Sequence, residues 1–300
     1  MTGFGPKPTC APELTSLGDG ASLGEGVLVV RRILVIGVGV FGMSTAAVLG
    51  ASAWRFDHRL NNFEAGLKGG PSPVGPRADL PSEVLVLARA LGVTPGRGSR
   101  FSQFAQTGEM WSAPGASVMS FSARQTVSTA DPGFLWRAAA GPGGLVKVAD
   151  YLIEGRGGLE ARILGAVTVA RDVGSPQTTR GEAMRYLAEL PWNPDALLYN
   201  RALDWTVVNA HRLRVATGSG YSRAEVTLEL NEAGLIEKSG AEARPRLENG
   251  TYVPRPWHGR FWNYARVGDR MVPTSGEVAW TIGETDFVYW RGQITKWAAR

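Results

Sequence analysis

The start of the chain consists of a polar segment followed by one long apolar run. Residues 1–26 are rich in Gly, Pro, Ser and Thr, which predicts a loose leader. The β-branched run 27–36 predicts a buried parallel strand, and the small residues of 42–54 predict a helix after it. Residues 61–70 predict a second short strand that contains an acid. This order is typical of the beginning of a parallel α/β sheet.

The remainder of the chain changes from mixed helices and strands to strands alone. Residues 81–93 and 143–155 have apolar positions at helical spacing and predict helices, whereas 159–172 and 211–220 predict strands. From residue 225 onward the pattern favours strands. The sequence therefore predicts an α/β fold in which a nucleotide-binding domain is interleaved with a β-rich substrate domain.

Three glycines at the end of the first apolar run have the spacing of a dinucleotide-binding turn. Gly37, Gly39 and Gly42 form G-x-G-x-x-G between the predicted strand and the predicted helix. In such a turn the glycines let the backbone approach a pyrophosphate, which lies at the positive end of the helix. Glu64, farther along, is the candidate acid for the ribose hydroxyls.

The same stretch also has features of an export signal. Residues 33–54 are apolar or small and include no charged side chain. The pair Arg31-Arg32 precedes them, and residues 51–53 resemble a small-residue cleavage site. Such a run is long enough to span a bilayer. The glycine spacing nevertheless favours the nucleotide-binding turn, a cytoplasmic protein and no stable membrane insertion. Export through a twin-arginine-like signal stays open as the alternative.

Charge and composition narrow the classes of site. The net charge is +5, but 32 basic residues are scattered among 27 acids, so nucleic-acid binding is not expected. Cys10 is the single cysteine, which argues against a disulfide framework and a cysteine-based metal site. His58, His211 and His258 lie far apart in the sequence, so no zinc site is expected.

Several further segments follow the glycine turn in an order found in one group of flavoenzymes. Residues 63–70 contain an acid-Ala segment ending in Gly-Gly, residues 143–172 follow as the predicted helix and strand, and residues 213–223 contain an Ala-Thr-Gly turn. With the glycine turn of residues 33–46, these segments resemble FAD-dependent oxidoreductases of the D-amino-acid-oxidase group and the related flavin amine oxidases. The resemblance covers roughly residues 31–265.

This resemblance implies a protein that binds FAD and oxidises an amine or amino acid by hydride transfer to the flavin, giving an imine. It implies a Rossmann-like FAD-binding domain of residues 27–93 plus 143–220, and a β-rich substrate domain of residues 94–142 plus 221–300. The residues that it implies for cofactor binding are Gly37, Gly39, Val40, Phe41, Gly42, Glu64, Ala65, Ala216, Thr217 and Gly218.

The resemblance assigns no catalytic residue. Residues 249–262 resemble the substrate-domain strand pair of the group, which makes Arg255 and Arg260 candidates for holding a substrate carboxylate and Tyr252 a candidate pocket residue. Residues 281–300 resemble both a degraded flavin motif and the last strands of ketosteroid-isomerase-like domains. Two alternatives therefore stay open: an NAD(P)-dependent dehydrogenase, and an exported small-ligand-binding protein with an isomerase-like C-terminal region.

Overall fold

The computed structural model describes residues 23–96 and 98–300, with side chains described from residue 45 onward. The chain divides into two units, Met1–Val48 and Leu49–Arg300. Helix α1 (Leu23–Gly69) provides the described residues of the first unit and the beginning of the second. Of the predicted leader, residues 1–22 lie outside the described residues, and residues 23–26 belong to α1.

The second unit consists mainly of one sheet of 13 strands. Its first six strands, here the first arm, are β1 (Phe101–Met110), β2 (Met119–Ser128), β3 (Phe134–Ala140), β4 (Val146–Ile153), β5 (Arg156–Ile163) and β6 (Val167–Val173). The other seven, the second arm, are β7 (Asp204–Asn209), β8 (Arg212–Thr217), β9 (Ala224–Leu230), β10 (Ile236–Glu248), β11 (Thr251–Val267), β12 (Arg270–Ile282) and β13 (Thr285–Ala299). Three further helices are α2 (Ser82–Ala90), α3 (Pro176–Ala188) and α4 (Ala196–Tyr199).

The sheet is built from two antiparallel meanders that meet at its centre. The strand order is β6-β5-β4-β3-β2-β1-β13-β12-β11-β10-β9-β8-β7, so the first and last strands of the sequence are neighbours. Phe104 of β1 lies opposite Trp297 of β13. Strands β6 and β7 form the two edges, and the chain crosses from one edge to the other by way of α3 and α4.

Helix α3 lies against the inner face of the sheet and contacts both arms. It touches β4, β5 and β6 in the first arm and β8, β9 and β10 in the second. Strands are spaced by about 4.8 Å, so a flat sheet of this size would be roughly 60 Å wide. A single helix reaches strands near both edges only because the sheet curls round it.

The inner face has an aromatic centre. Trp192, in the short turn after α3, has its ring centroid 5.7 Å from that of Phe104, 5.1 Å from that of Phe261 and 6.1 Å from that of Trp290. Its indole N–H donates a hydrogen bond of 2.9 Å to the carbonyl oxygen of Pro273. Aromatic side chains bury large apolar areas, so this cluster joins the central strands of the two arms.

The outer face of the first arm is covered by the second half of α1. Phe56 and Leu60 are buried against Leu135 of β3 and against Ala149 and Tyr151 of β4. Alternate residues of a strand point to opposite faces, and Leu152 of β4 belongs to the inner core instead. Strands β3 and β4 are therefore buried on both faces.

Two hairpins close with two-residue turns in which both residues have positive φ. The pairs are Glu154-Gly155 and Asn249-Gly250. Turns of this kind match the twist of antiparallel strands, and glycine at the second position avoids the strain of a side chain.

The predicted α/β fold is wrong, because the sheet is antiparallel throughout its described pairings. The predicted strands at 27–36 and 61–70 belong to α1, and the predicted helix at 143–155 is replaced by β4. The last error has a physical cause, since apolar residues on both faces of a doubly covered strand imitate helical spacing.

Other predicted elements are confirmed. Residues 81–93 contain α2, residues 211–220 contain β8 and its glycine turn, and the chain after residue 225 forms strands β9 to β13. Both ranges predicted as separate domains contribute strands to the one sheet.

Candidate ligand-binding site

An open cavity of about 590 Å³ lies between the two arms at the N-terminal end of α3. Its walls come from the end of α1, the connection of β2 to β3, the turn between β4 and β5, helix α3 and the chain that follows β8. Pockets for small molecules in proteins have volumes of about 300–1,000 Å³, so the cavity is large enough for such a ligand.

One side of the cavity is apolar. Phe63 and Leu67 of α1, Leu152 and Ile153 of β4, and Ala183 of α3 line it. Leu152 and Ala183 are almost fully buried and continue into the inner core of the sheet. The apolar part of a ligand would therefore contact a surface supported by packed side chains.

The charged residues that line the cavity are all acidic. Asp131 and Glu154 line the opening, and no lysine or arginine does so within the described part of the chain. Both residues are exposed, and neither carboxylate has an ion pair or hydrogen bond to any described residue. Their charge is thus available to a ligand.

Helix α3 is held close to β5 by a glycine. A Cβ atom at Gly157 would lie 2.7 Å from the Cα atom of Thr179, which is closer than such atoms pack. The backbone N–H of Gly157 donates to Thr179 Oγ1 at 3.1 Å. Thr179 and Ala183 are four residues apart and share a face of α3, so this contact sets the position of the cavity wall.

The first turn of α3 is fixed by a group of hydroxyls and one carboxylate. Ser175 Oγ accepts a hydrogen bond from the backbone N–H of Thr178 at 3.0 Å, which is a helix N-cap. Thr178 Oγ1 donates to Asp172 at 2.5 Å, and the Tyr252 hydroxyl of β11 donates to the same carboxylate. Burial and the neighbouring Asp172 raise the pKa of Tyr252.

Deeper in the curl, Arg185 of α3 forms a charged contact with the first arm. Its guanidinium pairs with Asp150 of β4 and donates to Glu189 at 2.8 Å. The same group lies 5.0 Å from the ring centroid of Phe134 and 5.3 Å from that of Trp136. The arginine is thus paired with carboxylates and stacked on aromatic faces.

A second charged contact joins α3 to the other arm. Arg244 of β10 lies 3.4 Å from Glu182 Oε1, and its guanidinium lies 4.2 Å from the ring centroid of Trp257. Burial raises the pKa of Glu182 well above its usual range, and the Asp150 carboxylate adds to the effect, while Arg244 and Arg185 oppose it. Asp150 Oδ1 and Glu182 Oε2 lack hydrogen-bond donors among the described residues.

The glycines predicted to bind FAD lie in a continuous helix. Gly37, Gly39 and Gly42, with Val40 and Phe41 between them, all belong to α1. A dinucleotide turn requires a strand that ends before the first glycine and a helix that begins near the third. The structure has neither boundary at this place.

Glu64 also belongs to α1, where its partners are structural. It pairs with Lys68 at 2.5 Å and accepts a hydrogen bond of 2.9 Å from Gln103 of β1. Burial alone would raise the pKa of Glu64. The hydrogen bond and charge of Lys68, with Arg137 nearby, outweigh burial and lower this pKa. Ala65 is exposed on the same helix.

Two of the predicted residues after β8 do line the cavity, although not in a Rossmann fold. Thr217 and Gly218 are lining residues, and Ala216 precedes them as a buried residue of β8. Gly218 has a φ of +76°, and a Cβ atom there would lie 3.0 Å from the carbonyl oxygen of Ser222. The glycine is therefore needed for the loop itself.

The predicted substrate residues of β11 do not lie together at the cavity. Tyr252 fixes the N-terminus of α3, and Arg255 makes two hydrogen bonds to Glu248, of 3.0 and 2.8 Å. Arg260 is exposed. A role for these residues in substrate binding stays a prediction.

The predicted function, an FAD-dependent oxidoreductase for amines or amino acids, is wrong. The assignment depended on a Rossmann-like domain, and the structure has an antiparallel sheet with the glycine motif inside α1. The NAD(P)-dependent alternative needs the same turn and loses the same support. FAD binding as such has not been tested and stays a prediction without its structural basis.

Apart from Thr217 and Gly218, sequence reasoning does not identify the cavity walls or the charged group beneath them. It predicts a helix at Asp150 and assigns no role to Glu182 or Arg185. One signal was available: the segment 176–189 has few large apolar residues yet contains Glu182, Arg185 and Glu189 at helical spacing.

No group of three or more His, Cys, Asp or Glu residues in the described part of the chain is arranged to hold a metal ion. No helix is both long enough and apolar enough to cross a membrane, as far as the described residues extend.

Comparison with known proteins gives one family and several distant structural likenesses. The profile of a family of unknown function, DUF6920, matches residues 78–298. A LolA superfamily protein from Nitrosomonas europaea is similar with a TM-score of 0.44 and 11% identity, over 73% of this chain and 93% of that chain. A DUF1329 family protein from Desulfovibrio piger has a TM-score of 0.43 and 8% identity, over 73% and 90%.

A further solved structure is a putative outer membrane lipoprotein-sorting protein domain from Vibrio parahaemolyticus. It is similar with a TM-score of 0.42 and 11% identity, over 73% of this chain and 91% of that chain. No curated protein matches the chain. TM-scores below 0.5 at this identity do not carry the functions of those proteins over to this one.

Proposed function

We propose that this chain, which belongs to the DUF6920 family of unknown function, binds a small amphiphile with a positively charged head group in the cavity between its arms. The observation that carries the proposal is the composition of the cavity lining, which combines apolar side chains with carboxylates as its only charged groups. A binding protein, and not an oxidoreductase, is the function that this arrangement supports best.

The apolar and the acidic lining residues would act on different parts of the ligand. An alkyl chain would displace water from Phe63, Leu67 and Leu152, and each buried CH₂ group contributes about 0.8 kcal/mol. A cationic head would remain near Asp131 and Glu154 at the opening. Because both carboxylates are exposed, their attraction is modest and sets selectivity more than affinity.

Titration calorimetry with simple surfactants, below their micelle concentrations, tests the head-group preference. Dodecyltrimethylammonium should bind about tenfold more tightly than dodecyl sulfate, which has the same chain and the opposite charge. The double variant Asp131→Asn, Glu154→Gln should lose most of this preference. Glu232→Gln with Glu284→Gln removes two exposed carboxylates outside the cavity and is the matched control.

Two results would contradict the proposal. One is equal binding of the two surfactants by the unchanged protein. The other is an equal effect of the control pair, which would show that net charge and not the cavity selects the ligand. Lengthening the alkyl chain by one CH₂ should strengthen binding about fourfold until the apolar side is filled.

For cellular location, we propose the exported alternative. One support is the apolar run that follows Arg31-Arg32. The other is that Gly37, Gly39 and Gly42 lie inside α1, which removes the argument for a nucleotide-binding turn in a cytoplasmic protein. Cell fractionation of the native host tests this. Recovery in the cytoplasmic fraction would contradict the proposal, and sequencing of the mature N-terminus would show whether residues up to 53 are removed.

A further inference from the structure

One end of the second unit exposes a cluster of aliphatic side chains, here called the end patch: Leu49, Leu145, Leu164, Val167 and Val169. Their exposed fractions are 40%, 41%, 65%, 49% and 56%. Single exposed aliphatic residues are ordinary on protein surfaces, but contiguous groups mark surfaces that meet another apolar phase or a partner.

Hydrogen bonds join the segments that carry the end patch. The backbone N–H of Leu164 donates to the carbonyl oxygen of Leu145 at 2.8 Å, which joins the two turns that carry these leucines. Ser52 Oγ donates to the carbonyl oxygen of Ala166 at 2.7 Å, which joins α1 to the turn between β5 and β6. Val167 follows that turn directly in β6.

The geometry of the turn places an aliphatic side chain at its tip. Leu164 has a φ of +52°, a conformation that a branched apolar residue adopts at a cost, and Gly165 follows with a φ of +72°. Val167 and Val169 both lie on the edge strand, and Val169 is the extra residue of a β-bulge, since Thr168 and Ala170 pair with the adjacent residues Arg162 and Ala161. Nothing in the described part of the second unit covers these three side chains.

The segments that form the end patch carry basic side chains. The three segments that form it are residues 49–56, 141–149 and 161–171, and they contain one lysine, three arginines and no acid. Four acids border these segments in the sequence, and each has a partner. Glu160 pairs with Arg59 at 2.6 Å, Arg162 at 3.1 Å and Arg171 at 3.8 Å. Asp57 pairs with Arg137, Asp150 pairs with Arg185, and Asp172 accepts hydrogen bonds from Thr178 and Tyr252. An anionic surface would be attracted to this end of the unit.

The sequence leading into the end patch favours a lipid phase as the partner. Residues 33–54 form a run without any charged side chain, and the chain enters the second unit through it at Leu49. Trp54, an amphipathic residue common at membrane–water boundaries, is 63% exposed and stacks on His58 with ring centroids 5.0 Å apart.

From these observations we propose that the end patch is a docking surface for an anionic lipid membrane. In this arrangement the aliphatic side chains enter the headgroup region, and Arg55, Lys147 and Arg171 lie near anionic headgroups. The cavity is at the other end of the same strands: Leu67, which lines it, is 18 residues after Leu49 on α1, or roughly 27 Å along the helix axis. Docking would leave the cavity open to water.

Hydrogen exchange of the full chain, with and without vesicles, tests the proposal. With vesicles of phosphatidylcholine containing about a third phosphatidylglycerol, amides of residues 141–147 and 163–170 should exchange more slowly. Amides of residues 206–209, on the exposed edge strand β7, should not change. Vesicles of phosphatidylcholine alone should give weaker protection, because each basic residue near an anionic surface contributes about fivefold to binding.

A pair of variants separates docking by the end patch from attachment through another part of the chain. Leu164→Glu with Val167→Glu should abolish the vesicle-dependent protection. Val207→Glu with Val208→Glu, which changes two exposed valines of the other edge strand, should leave it intact. Thermal unfolding of both variants confirms that they are folded.

Three outcomes would overturn the proposal. The first is absence of protection at residues 163–170 although the chain cosediments with vesicles. The second is protection that the Leu164→Glu, Val167→Glu variant retains. The third is protection that grows with protein concentration in the absence of vesicles, which would make the patch an interface between copies of the chain. None of these outcomes depends on whether a ligand occupies the cavity.

Discussion

Helices α1 and α3 pack on opposite faces of the same sheet by different chemistry. The second half of α1 covers the outer face with apolar residues such as Phe56 and Leu60, which are 3% and 1% exposed. Helix α3 lies in the curl and directs Glu182 and Arg185 toward charged partners in the two arms. Helix α1 is held mainly by apolar burial, with Arg59 and Glu64 adding polar contacts to the first arm. Helix α3 also buries apolar side chains, but it is joined to both arms by charged pairs.

This difference determines how the packing of each helix responds to pH and to the loss of a single charge. Apolar burial has no direction and changes little with pH. A buried ion pair adds little net stability, because the attraction must first offset the loss of hydration, but losing one partner leaves a costly unpaired charge. The position of α3 should therefore depend on single charges such as that of Arg185, whereas the apolar packing of Phe56 and Leu60 of α1 should change little with pH.

The largest effect is expected for Arg185→Met. The variant keeps most of the apolar stem but leaves Asp150 and Glu189 without their shared cation. Breaking a buried pair in this way costs about 3–5 kcal/mol. Denaturant unfolding at pH 7 measures the loss, and adding Asp150→Asn to the variant should recover at least about 1 kcal/mol through the coupling of the two sites.

Leu60→Ala is the matched variant on the other helix. Removing a fully buried leucine costs about 2–5 kcal/mol, through lost apolar contact and the cavity that remains. The loss should be the same at pH 5 and pH 8, whereas the loss for Arg185→Met should differ between them. Equal pH dependence of the two variants would contradict the comparison.

A smaller effect is expected from pH, with Glu182 and Glu64 acting in opposite directions. The pKa of Glu182 is higher in the folded than in the unfolded chain, so the folded chain binds more protons above pH 4.5. The contribution of Glu182 to stability is therefore present at low pH and is lost as pH rises through the folded pKa, by at most about 1.4 kcal/mol per pH unit. Glu182→Gln should remove this slope in denaturant unfolding measured from pH 4 to 8.

Glu64 on α1 provides the contrasting slope. Its folded pKa is below 4.5, so its contribution is present above that pH and is lost as the pH falls. Glu64→Gln should thus flatten the stability profile on the acid side only. If both substitutions changed the profile in the same pH range, the assignment of opposite shifts would be incorrect.

Parts of the fold could be predicted because their signals are local. Asn249-Gly250 lies between alternating segments and marks a hairpin, and α2 begins after Pro81 and ends near Gly92. The turn after β8 was also placed correctly, and its Thr217 and Gly218 line the cavity. These features depend on neighbouring residues alone.

The errors arose where tertiary contacts override local pattern. Gly37, Gly39 and Gly42 fit a dinucleotide turn, but the same spacing is compatible with a helix of small and apolar residues. Residues 145–153 imitate a helix because β4 is covered on both faces. The pairing of β1 with β13 joins residues almost 200 positions apart, and no local signal indicates it.

The smallest effect is expected at the beginning of α3. Ser175→Ala removes the oxygen that accepts the Thr178 N–H bond, and the loss of such an N-cap costs about 1 kcal/mol. The hydroxyl also lies 3.2 Å from that of Tyr252, so Ser175→Thr, which keeps both contacts, should restore stability. Because Thr179 and Ala183 line the cavity, Ser175→Ala should also weaken surfactant binding by a few-fold, whereas the cost of Leu60→Ala should appear in unfolding alone. Calorimetry on the two variants measures this, and a loss of binding for Leu60→Ala equal to that for Ser175→Ala would show that the cavity follows overall stability and not the position of α3.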